Sequence, residues 1–275
     1  MERIIGHDVE MRDARACRLD ADQGRLYCFR MTIQLSANSC SSCPIRHRAV
    51  CAECEVDELA ILEQAKSYRT VERGTMLAEA GEPLDHLSSV VSGCATMSRS
   101  FADGRRQMVG LLLPSDFIGR PGRAVSPYNI EAASEVTLCR FERRTFEQLM
   151  DRSPNIAHRM LVMTLDELDA ARDWAVVLGR MSAREKVINF IVNLARREAA
   201  AHDGTVAEGP VQLHLPLSRE TIADYLGLTI ETTSRQFSAL RRDGLIETPS
   251  AREVRIPDFA RLALEIDDDD GGVIS

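Results

Sequence analysis

The chain has 275 residues, of which 44% are hydrophobic and 28% charged, and its formal net charge is −8. This length favours two domains over one, and no run of about 18 uncharged apolar residues predicts a transmembrane helix. The opening stretch MERIIGHDVEMRDARAC has no apolar core of a secretory signal, so we expect a cytoplasmic protein whose clustered cysteines serve metal or redox chemistry.

Residues 1–38 show no sustained periodicity and predict a flexible N-terminal arm. The cysteine loop that follows has the spacing Cys-x2-Cys-x7-Cys-x2-Cys and consists of Cys40, Cys43, Cys51 and Cys54. Two Cys-x2-Cys pairs can hold a tetrahedral zinc ion. Alternatively, three of these cysteines and a distant fourth can hold an iron–sulfur cluster, and Cys139 is the candidate for that ligand. The spacing leaves both interpretations open.

Short apolar runs separated by Gly, Pro or Asp fill residues 69–145. Turn signals recur about every 8 to 12 residues, which predicts many short antiparallel strands in a sandwich or roll. The segment FADGRR places Asp-Gly between two such runs, a strong hairpin signal. We therefore assign residues 39–153 to the cysteine loop and a β-roll.

A long helix is predicted over residues 154–180, opened by SPN and closed near Gly179. It carries two apolar stripes with the 4–3 spacing of a heptad pattern. The first stripe consists of Ile156, Met160, Met163, Ala170, Trp174 and Val177. The second consists of Ala157, Leu161, Thr164, Leu168, Ala171, Ala175 and Leu178. Two apolar faces need two partners, so we expect the first stripe to cover the roll and the second to pair with another copy of the chain. The alternative is that one monomer buries both.

Residues 181–262 predict a winged helix-turn-helix, followed by an acidic tail over 263–275. In RETIADYLGLTIETTSRQFSALRRDG, Ala223 fits the close approach of two helices and Gly227 tolerates the positive φ that ends the first. Thr229 is the expected N-cap of a second helix starting near Ile230. Four apolar side chains are expected to pack the two helices together: Ile222, Leu226, Leu228 and Ile230. GLIETPSAREVRIP predicts the wing hairpin.

In a helix-turn-helix, the first turns of the second helix face base edges in the major groove. Those turns present side chains able to bond bases: Glu231, Thr232, Ser234 and Arg235. Later arginines are expected on phosphates: Arg241, Arg242, Arg252 and Arg255. The region from Arg180 to Leu262 holds 12 basic and 11 acidic residues, so the acidic net charge of the chain does not exclude double-stranded DNA as a partner.

Over residues 38–262 the chain resembles the FNR branch of the CRP/FNR family of bacterial transcription regulators, in particular the FnrL/FnrN-like group. The resemblance lies in the cysteine cluster, SGCATM, LCRFERRTFEQLM, the long helix and YLGLTIETTSR. It implies an α+β fold with a jelly roll like that of cyclic-nucleotide-binding domains, a dimerisation helix and a C-terminal winged helix-turn-helix.

The resemblance also implies a function, that of an oxygen-responsive DNA-binding transcription regulator, either an activator or a repressor, and not an enzyme. It implies an oxygen-labile [4Fe-4S] cluster held by Cys40, Cys43, Cys51 and Cys139, with Cys54 as an alternative to Cys51. The implied partners are a second copy of the chain, RNA polymerase and a palindromic operator with TTGAT-like half-sites, with no membrane. The alternative is a regulator of the same family whose cysteines hold structural zinc or act as a thiol switch.

The sequence departs from relatives of this family at three places. Tyr128-Asn129 stands near the Arg-Ser or Arg-Thr pair with which some relatives hold a cyclic nucleotide, so no cyclic nucleotide is expected, although Arg120 and Arg123 are near. Ala171 replaces an acidic residue on the pairing stripe, which predicts a tighter dimer. The remaining cysteines have no counterpart and are interpreted as ordinary thiols: Cys17, Cys28 and Cys94.

Overall fold

The computed structural model describes residues 14–19, 26–31, 39–104, 106–202 and 210–267. It divides into two compact units, Met1–Ser42 and Cys43–Ser275. None of the described helices is long and apolar enough to cross a lipid bilayer.

The N-terminal unit contains an antiparallel strand pair that the sequence analysis missed. Strands β1 (Ala14–Leu19) and β2 (Leu26–Met31) pair along their whole length, and a 3-10 helix covers Cys40–Ser42. The predicted flexible arm thus contains two strands, in which LYCFRM supplies aromatic residues of high strand propensity. The rest of the predicted arm lies outside the described residues.

The second unit begins with the cysteine loop from Cys43 onward and continues with the β-roll, which confirms the predicted roll. Two four-stranded antiparallel sheets face each other, in the orders β3-β10-β5-β8 and β4-β9-β6-β7. The strands of the first sheet are β3 (Lys66–Val71), β5 (His86–Ser92), β8 (Phe117–Ile118) and β10 (Val136–Glu142). Those of the second are β4 (Met76–Ala78), β6 (Ala95–Ser100), β7 (Arg106–Leu112) and β9 (Asn129–Ala132).

Turn chemistry sets the strand pairing in the roll. Strands β6 and β7 form the hairpin that FADGRR predicts, with Gly104 at φ +84°. Gly93 joins β5 to β6 at φ +84°, and a Cβ there would lie 2.0 Å from the carbonyl oxygen of Glu135. Only glycine fits that position. Side chains such as Val90, Leu138 and Ile130 fill the space between the sheets.

Three helices flank the roll: α1 (Val56–Ala65), α2 (Arg143–Arg152) and α3 (Pro154–Arg180). The predicted long helix is thus present as α3. Ser153 caps it by accepting a hydrogen bond from the backbone N–H of Ile156 at 3.2 Å. The first stripe is only partly covered, since Ile156, Met160 and Val177 are buried while Ala170 is exposed.

The C-terminal region is the predicted winged helix-turn-helix with additional elements. Helix α4 (Ala183–His202), α5 (Arg219–Leu226) and α6 (Ile230–Arg242) pack with a three-stranded sheet in the order β11-β13-β12. The strands are β11 (Val211–His214), β12 (Glu247–Ser250) and β13 (Glu253–Ile256). A further helix, α7 (Phe259–Asp267), extends into the predicted acidic tail, where Ala263 and Ile266 pack against this core. Residues 268–275 lie outside the described part.

Candidate functional site

The cysteine loop is a series of turns fastened by its apolar side chains. Its backbone N–H groups bond back along the loop, for example Arg46 to the carbonyl of Cys43 at 3.1 Å and Ala49 to that of Ile45 at 2.9 Å. Ile45, Ala49 and Val50 are almost completely buried. These contacts hold Cys43, Cys51 and Cys54 against the outer face of the first sheet.

The structure brings together four of the five cysteines named as ligand candidates. Cys139 lies in β10, the strand between β3 and β5, and is 8% exposed. Buried Cys139 and Cys54 belong to one apolar cluster, and half-buried Cys43 and Cys51 pack against it. The fifth candidate, Cys40, belongs to the N-terminal unit and begins its 3-10 helix. Among the described residues, no three Cys, His, Asp or Glu side chains are grouped as the ligands of a metal ion.

The first turns of α3 hold the cysteine loop directly. The Arg159 guanidinium donates to the carbonyls of Arg48 at 2.5 Å and Ala49 at 3.4 Å. One position earlier, His158 Nδ1 lies 2.9 Å from the Glu53 carboxylate. The segment just before Cys51 is thus tied to the helix that carries the second apolar stripe.

Glu58 fixes the end of the loop to the same helix. Its carboxylate accepts hydrogen bonds from the Ser153 hydroxyl and from Asn155 Nδ2, the latter at 2.9 Å. It also accepts from the backbone N–H of Glu55 at 2.9 Å, closing the N-terminus of α1. The hydrogen bond from Ser153, followed by that from Asn155, lowers the pKa of Glu58.

The second stripe of α3 remains open in the single chain. Leu161 is 57% exposed and Leu168 is 44% exposed. The other members are either exposed or half-buried: Ala157, Thr164, Ala171, Ala175 and Leu178. One monomer therefore does not bury both stripes, which removes the alternative considered above. Leu165 and Val176 are also exposed and widen this apolar face.

Two other sequence features take no part in the cysteine site. Cys94 is buried against the core of the C-terminal region, and burial raises the pKa of its thiol to about 12, so it stays protonated. Asn129 lies near the position where some relatives carry the Arg-Ser or Arg-Thr pair that holds a cyclic nucleotide. Its Oδ1 accepts a hydrogen bond from the Ala80 backbone N–H at 2.8 Å. The neighbouring Arg120 and Arg123 are exposed.

The helix-turn-helix has the local geometry that its sequence predicts. Ala223 is 2% exposed between α5 and α6, and Gly227 ends α5 at φ +62°. Thr229 caps α6 by accepting from the Thr232 backbone N–H at 3.2 Å. The second helix therefore begins at Ile230, as expected. Ile230 itself, at the first position of α6, is 44% exposed, so its predicted packing role is wrong.

Most of the predicted base-contacting residues share the open face of α6. Glu231, Ser234 and Arg235 are exposed at helical spacing, and Arg241 and Arg242 are exposed in the last turn. A hydrogen bond from its own backbone, and a further one from Thr229, lower the pKa of Glu231. The side chain of Thr232 is half-buried, and its hydroxyl accepts from Arg235 at 3.2 Å, which orients the guanidinium.

The two wing arginines expected on phosphates have partners within the wing region. Arg252 donates to the carbonyl of Pro216 at 2.8 Å, and Arg255 lies 3.2 Å from the Glu247 carboxylate. Arg252 thus fastens the wing to the segment before α5. Only contacts between distant parts of the chain determine this role, so no local sequence pattern predicts it.

A cationic residue that the sequence analysis missed lies between α6 and the wing. The Arg219 guanidinium stacks 3.5 Å from the centre of the Phe237 ring, and its Nη1 is buried with no hydrogen-bond partner among the described residues. It lines a groove of about 380 Å³ with Ser234, Arg241 and Ser250. Burial lowers the pKa of Arg219 to about 10. An unpaired donor beside the base-facing helix suits a phosphate oxygen.

A β-roll, a long helix with an open apolar face and a winged helix-turn-helix define the architecture of a DNA-binding transcription regulator. Comparison with known proteins agrees. Residues 68–153 match the model of the cyclic nucleotide-binding domain, and residues 185–264 match that of the Crp-like helix-turn-helix domain.

Relatives match over most of the chain. The transcriptional activator protein FnrL of Cereibacter sphaeroides is 52% identical over 85% of this chain and 94% of its own length. The nitrogen fixation regulation protein FixK of Bradyrhizobium diazoefficiens is 35% identical over 78% of this chain and 88% of its own. The solved structure of FixK2 from Bradyrhizobium japonicum superposes with a TM-score of 0.64 at 29% identity, over 72% of this chain and 96% of that one. The chain belongs to the CRP/FNR family of transcription regulators.

Proposed function

We propose that this regulator is an oxygen-responsive transcription activator in which a [4Fe-4S] cluster controls pairing of two chains and binding to a palindromic operator. The observation that carries the proposal is the position of Cys139. A strand of the roll and the separate cysteine loop place their thiols in one apolar cluster. A loop that needed only local ligands would not require a cysteine from the roll.

The donor chemistry fits such a cluster, which binds four cysteine thiolates and whose reduction potential depends on its surroundings. Cys43, Cys51 and Cys139 supply three thiols in apolar surroundings, and Cys40 enters through its spacing of two residues from Cys43. Cys54 occupies the same apolar cluster as Cys51, so either of them can serve as the third ligand of the set. When bound, the group supplies a centre that oxygen degrades.

The chain's own residues offer a route from the loop to the pairing face. Ligation at Cys139 fixes the loop on β10, and Arg159 then holds the first turns of α3 against the carbonyls of Arg48 and Ala49. The same helix presents Leu161 and Leu168 to a second copy. With Cys139 unligated, the loop keeps only its apolar packing and these hydrogen bonds, and we expect the start of α3 to loosen.

Pairing through α3 serves DNA recognition because a two-fold dimer presents its two recognition helices to the two halves of a palindrome. Glu231, Ser234 and Arg235 are the residues placed to read bases in each half-site. The resemblance to FNR-type regulators supports TTGAT-like half-sites and contact with RNA polymerase. The relative FnrL of Cereibacter sphaeroides is a transcriptional activator, which supports activation as the role of this chain.

The proposal is tested by an absorption spectrum of protein purified without oxygen, with iron and sulfide assays, for the parent and for Cys139→Ser, Cys51→Ser and Cys54→Ser. We expect a brown parent with about four irons per chain. Cys139→Ser and one of the two loop variants should lose the colour, and the remaining loop variant should keep it. An anaerobic parent that contains neither iron nor sulfide contradicts the proposal.

A second candidate keeps the DNA-binding function but replaces the cluster with structural zinc or a thiol switch. It is favoured by the burial of Cys54 beside Cys43 and Cys51, because the loop's own cysteines could then suffice. With structural zinc, it predicts a colourless protein that binds its operator equally well with and without air. With a thiol switch, it predicts a colourless protein whose operator binding changes when a thiol reductant is added. It also predicts that Cys139→Ser has little effect.

A further inference from the structure

A row of four side chains crosses the sheet beneath the cysteine loop. Opposite one another on neighbouring strands are Phe117 of β8, Ser89 of β5, Cys139 of β10 and Tyr68 of β3. Cys139 belongs to the apolar cluster of the loop, and Phe117 and Tyr68 pack against that cluster. Opposed residues of antiparallel strands point to the same face, so Ser89 faces the loop too.

The neighbours of Ser89 along β5 agree with this orientation. Side chains alternate between the faces of a strand, and Leu87 and Val91, two positions to either side, belong to the apolar cluster of the loop. Val90, the next residue, belongs instead to the interior of the roll. Ser89 is thus a hydroxyl in an otherwise apolar row that faces the cysteines.

The described residues offer the Ser89 hydroxyl no hydrogen-bond partner. Ser89 is 2% exposed, and its Oγ is buried without a hydrogen-bond partner among the described residues. A buried hydroxyl left unpaired destabilises a folded protein, and nearly every such group in native structures has a partner. The position therefore points to an acceptor that is present only when the site is loaded.

We propose that the Ser89 hydroxyl donates a hydrogen bond to the Cys139 sulfur when that sulfur ligates the cluster, and so slows the reaction with oxygen. The inference rests on the proposed function. Directly opposed residues have Cβ atoms about 4.5 to 5.5 Å apart, so rotation about χ1 brings Oγ within reach of Sγ. A thiolate accepts a hydrogen bond more strongly than a thiol does.

The expected effect follows from charge. Hydrogen bonds to ligand sulfurs are among the factors that set the reduction potential of an iron–sulfur cluster. A donor at Cys139 draws negative charge from the sulfur, so giving one electron to dioxygen, which is thereby reduced, becomes less favourable. Ser89 acts through Cys139 and is therefore a positioning residue that tunes the site.

The test compares Ser89→Ala with the parent, with Ser88→Ala as the matched control. Ser88 is a buried serine on the opposite face of the same strand. Without oxygen, we expect iron, sulfide and absorbance of Ser89→Ala to equal those of the parent. In air, its absorbance should fade about three to ten times faster, as expected for loss of one hydrogen bond of ordinary strength. Its reduction potential should be lower, and Ser88→Ala should fade at the parental rate.

Rescue separates the hydroxyl from packing. Ser89→Thr keeps the hydroxyl and should fade at close to the parental rate. Equal fading of Ser89→Ala and the parent overturns the inference, and so does loss of iron from both Ser89 variants, because packing would then be the cause. A parent without iron defeats the proposed function and this inference together, and that is seen before any variant is made.

Discussion

Arg219→Met should weaken operator binding without unfolding the protein. The guanidinium lies over the Phe237 ring with one buried, unpaired nitrogen, in the groove between α6 and the wing. In the DNA complex we expect that nitrogen to donate to a phosphate. Methionine keeps the apolar contact with the ring but removes both the donor and the charge.

The magnitude follows from one charge-assisted hydrogen bond in each half-site. Such a bond contributes about 1.5 to 3 kcal/mol, so affinity should fall at least about tenfold per half-site. Each lost phosphate contact also reduces the slope of log affinity against log salt by about 0.9. A dimer on a palindrome carries two copies, so the slope should become shallower by about two.

The assay is titration of a palindromic TTGAT-type duplex at several salt concentrations, with Arg261→Met as the control. Arg261 is exposed on α7 and does not line the groove. Because burial lowers the pKa of Arg219, its charge is destabilising in the free protein, and the melting temperature of Arg219→Met should be unchanged or higher. Full affinity with an unchanged salt slope would refute this reasoning.

Three further substitutions test the helix that joins loop and pairing face. Leu168→Glu places two like charges in the proposed seam and should raise the dimer dissociation constant at least about a hundredfold in sedimentation, with an unchanged circular dichroism spectrum; a persistent dimer would exclude this seam. Arg159→Met should keep iron and sulfide but raise the dissociation constant of the anaerobic dimer about tenfold. Arg180→Met, at the exposed end of α3, should leave that constant unchanged. Equal dissociation constants for the two variants would exclude the hydrogen-bonded route from the loop to α3. The lowered pKa of Glu58 means that its carboxylate stabilises the fold above its ordinary pKa of 4.5, and this contribution is lost as the pH falls through the lower folded value. The difference in melting temperature between the parent and Glu58→Ala should therefore be larger at about pH 7 than at about pH 3, and a constant difference would contradict that assignment.

Local sequence determined the helix-turn-helix because its requirements are local. The small side chain of Ala223, the positive φ of Gly227 and the cap at Thr229 follow from residue chemistry within a few positions. The same holds for the hairpin around Gly104. Periodicity likewise predicted α3 and its open second stripe.

Features that depend on distant contacts were not predictable in this way. Arg252 bonds the Pro216 carbonyl and Arg219 covers Phe237, although both are ordinary surface residues by type. Helix α7 was missed because DDDD dominates the composition of its end. Leu262, which lies within α7 ahead of DDDD, completes a core that other elements build. The isolated serine at position 89 has meaning only once the register places it beside Cys139.

The resemblance supplied what spacing alone could not. The residues left zinc and an iron–sulfur cluster open, with Cys139 as the candidate distant ligand, and the family resemblance selected the cluster. The fold then placed Cys139 with Cys43, Cys51 and Cys54 in one apolar cluster. The cofactor, the oxygen response and the ligand set stay predictions.

The central claim is that ligation between the loop and β10 governs operator binding. The most direct measurement is one anaerobic sample titrated with operator DNA, exposed to air, and titrated again, with iron and sulfide measured at both points. We expect tight operator binding while iron is present, and weaker operator binding once air has released the iron. Equal binding before and after the iron is lost would contradict it.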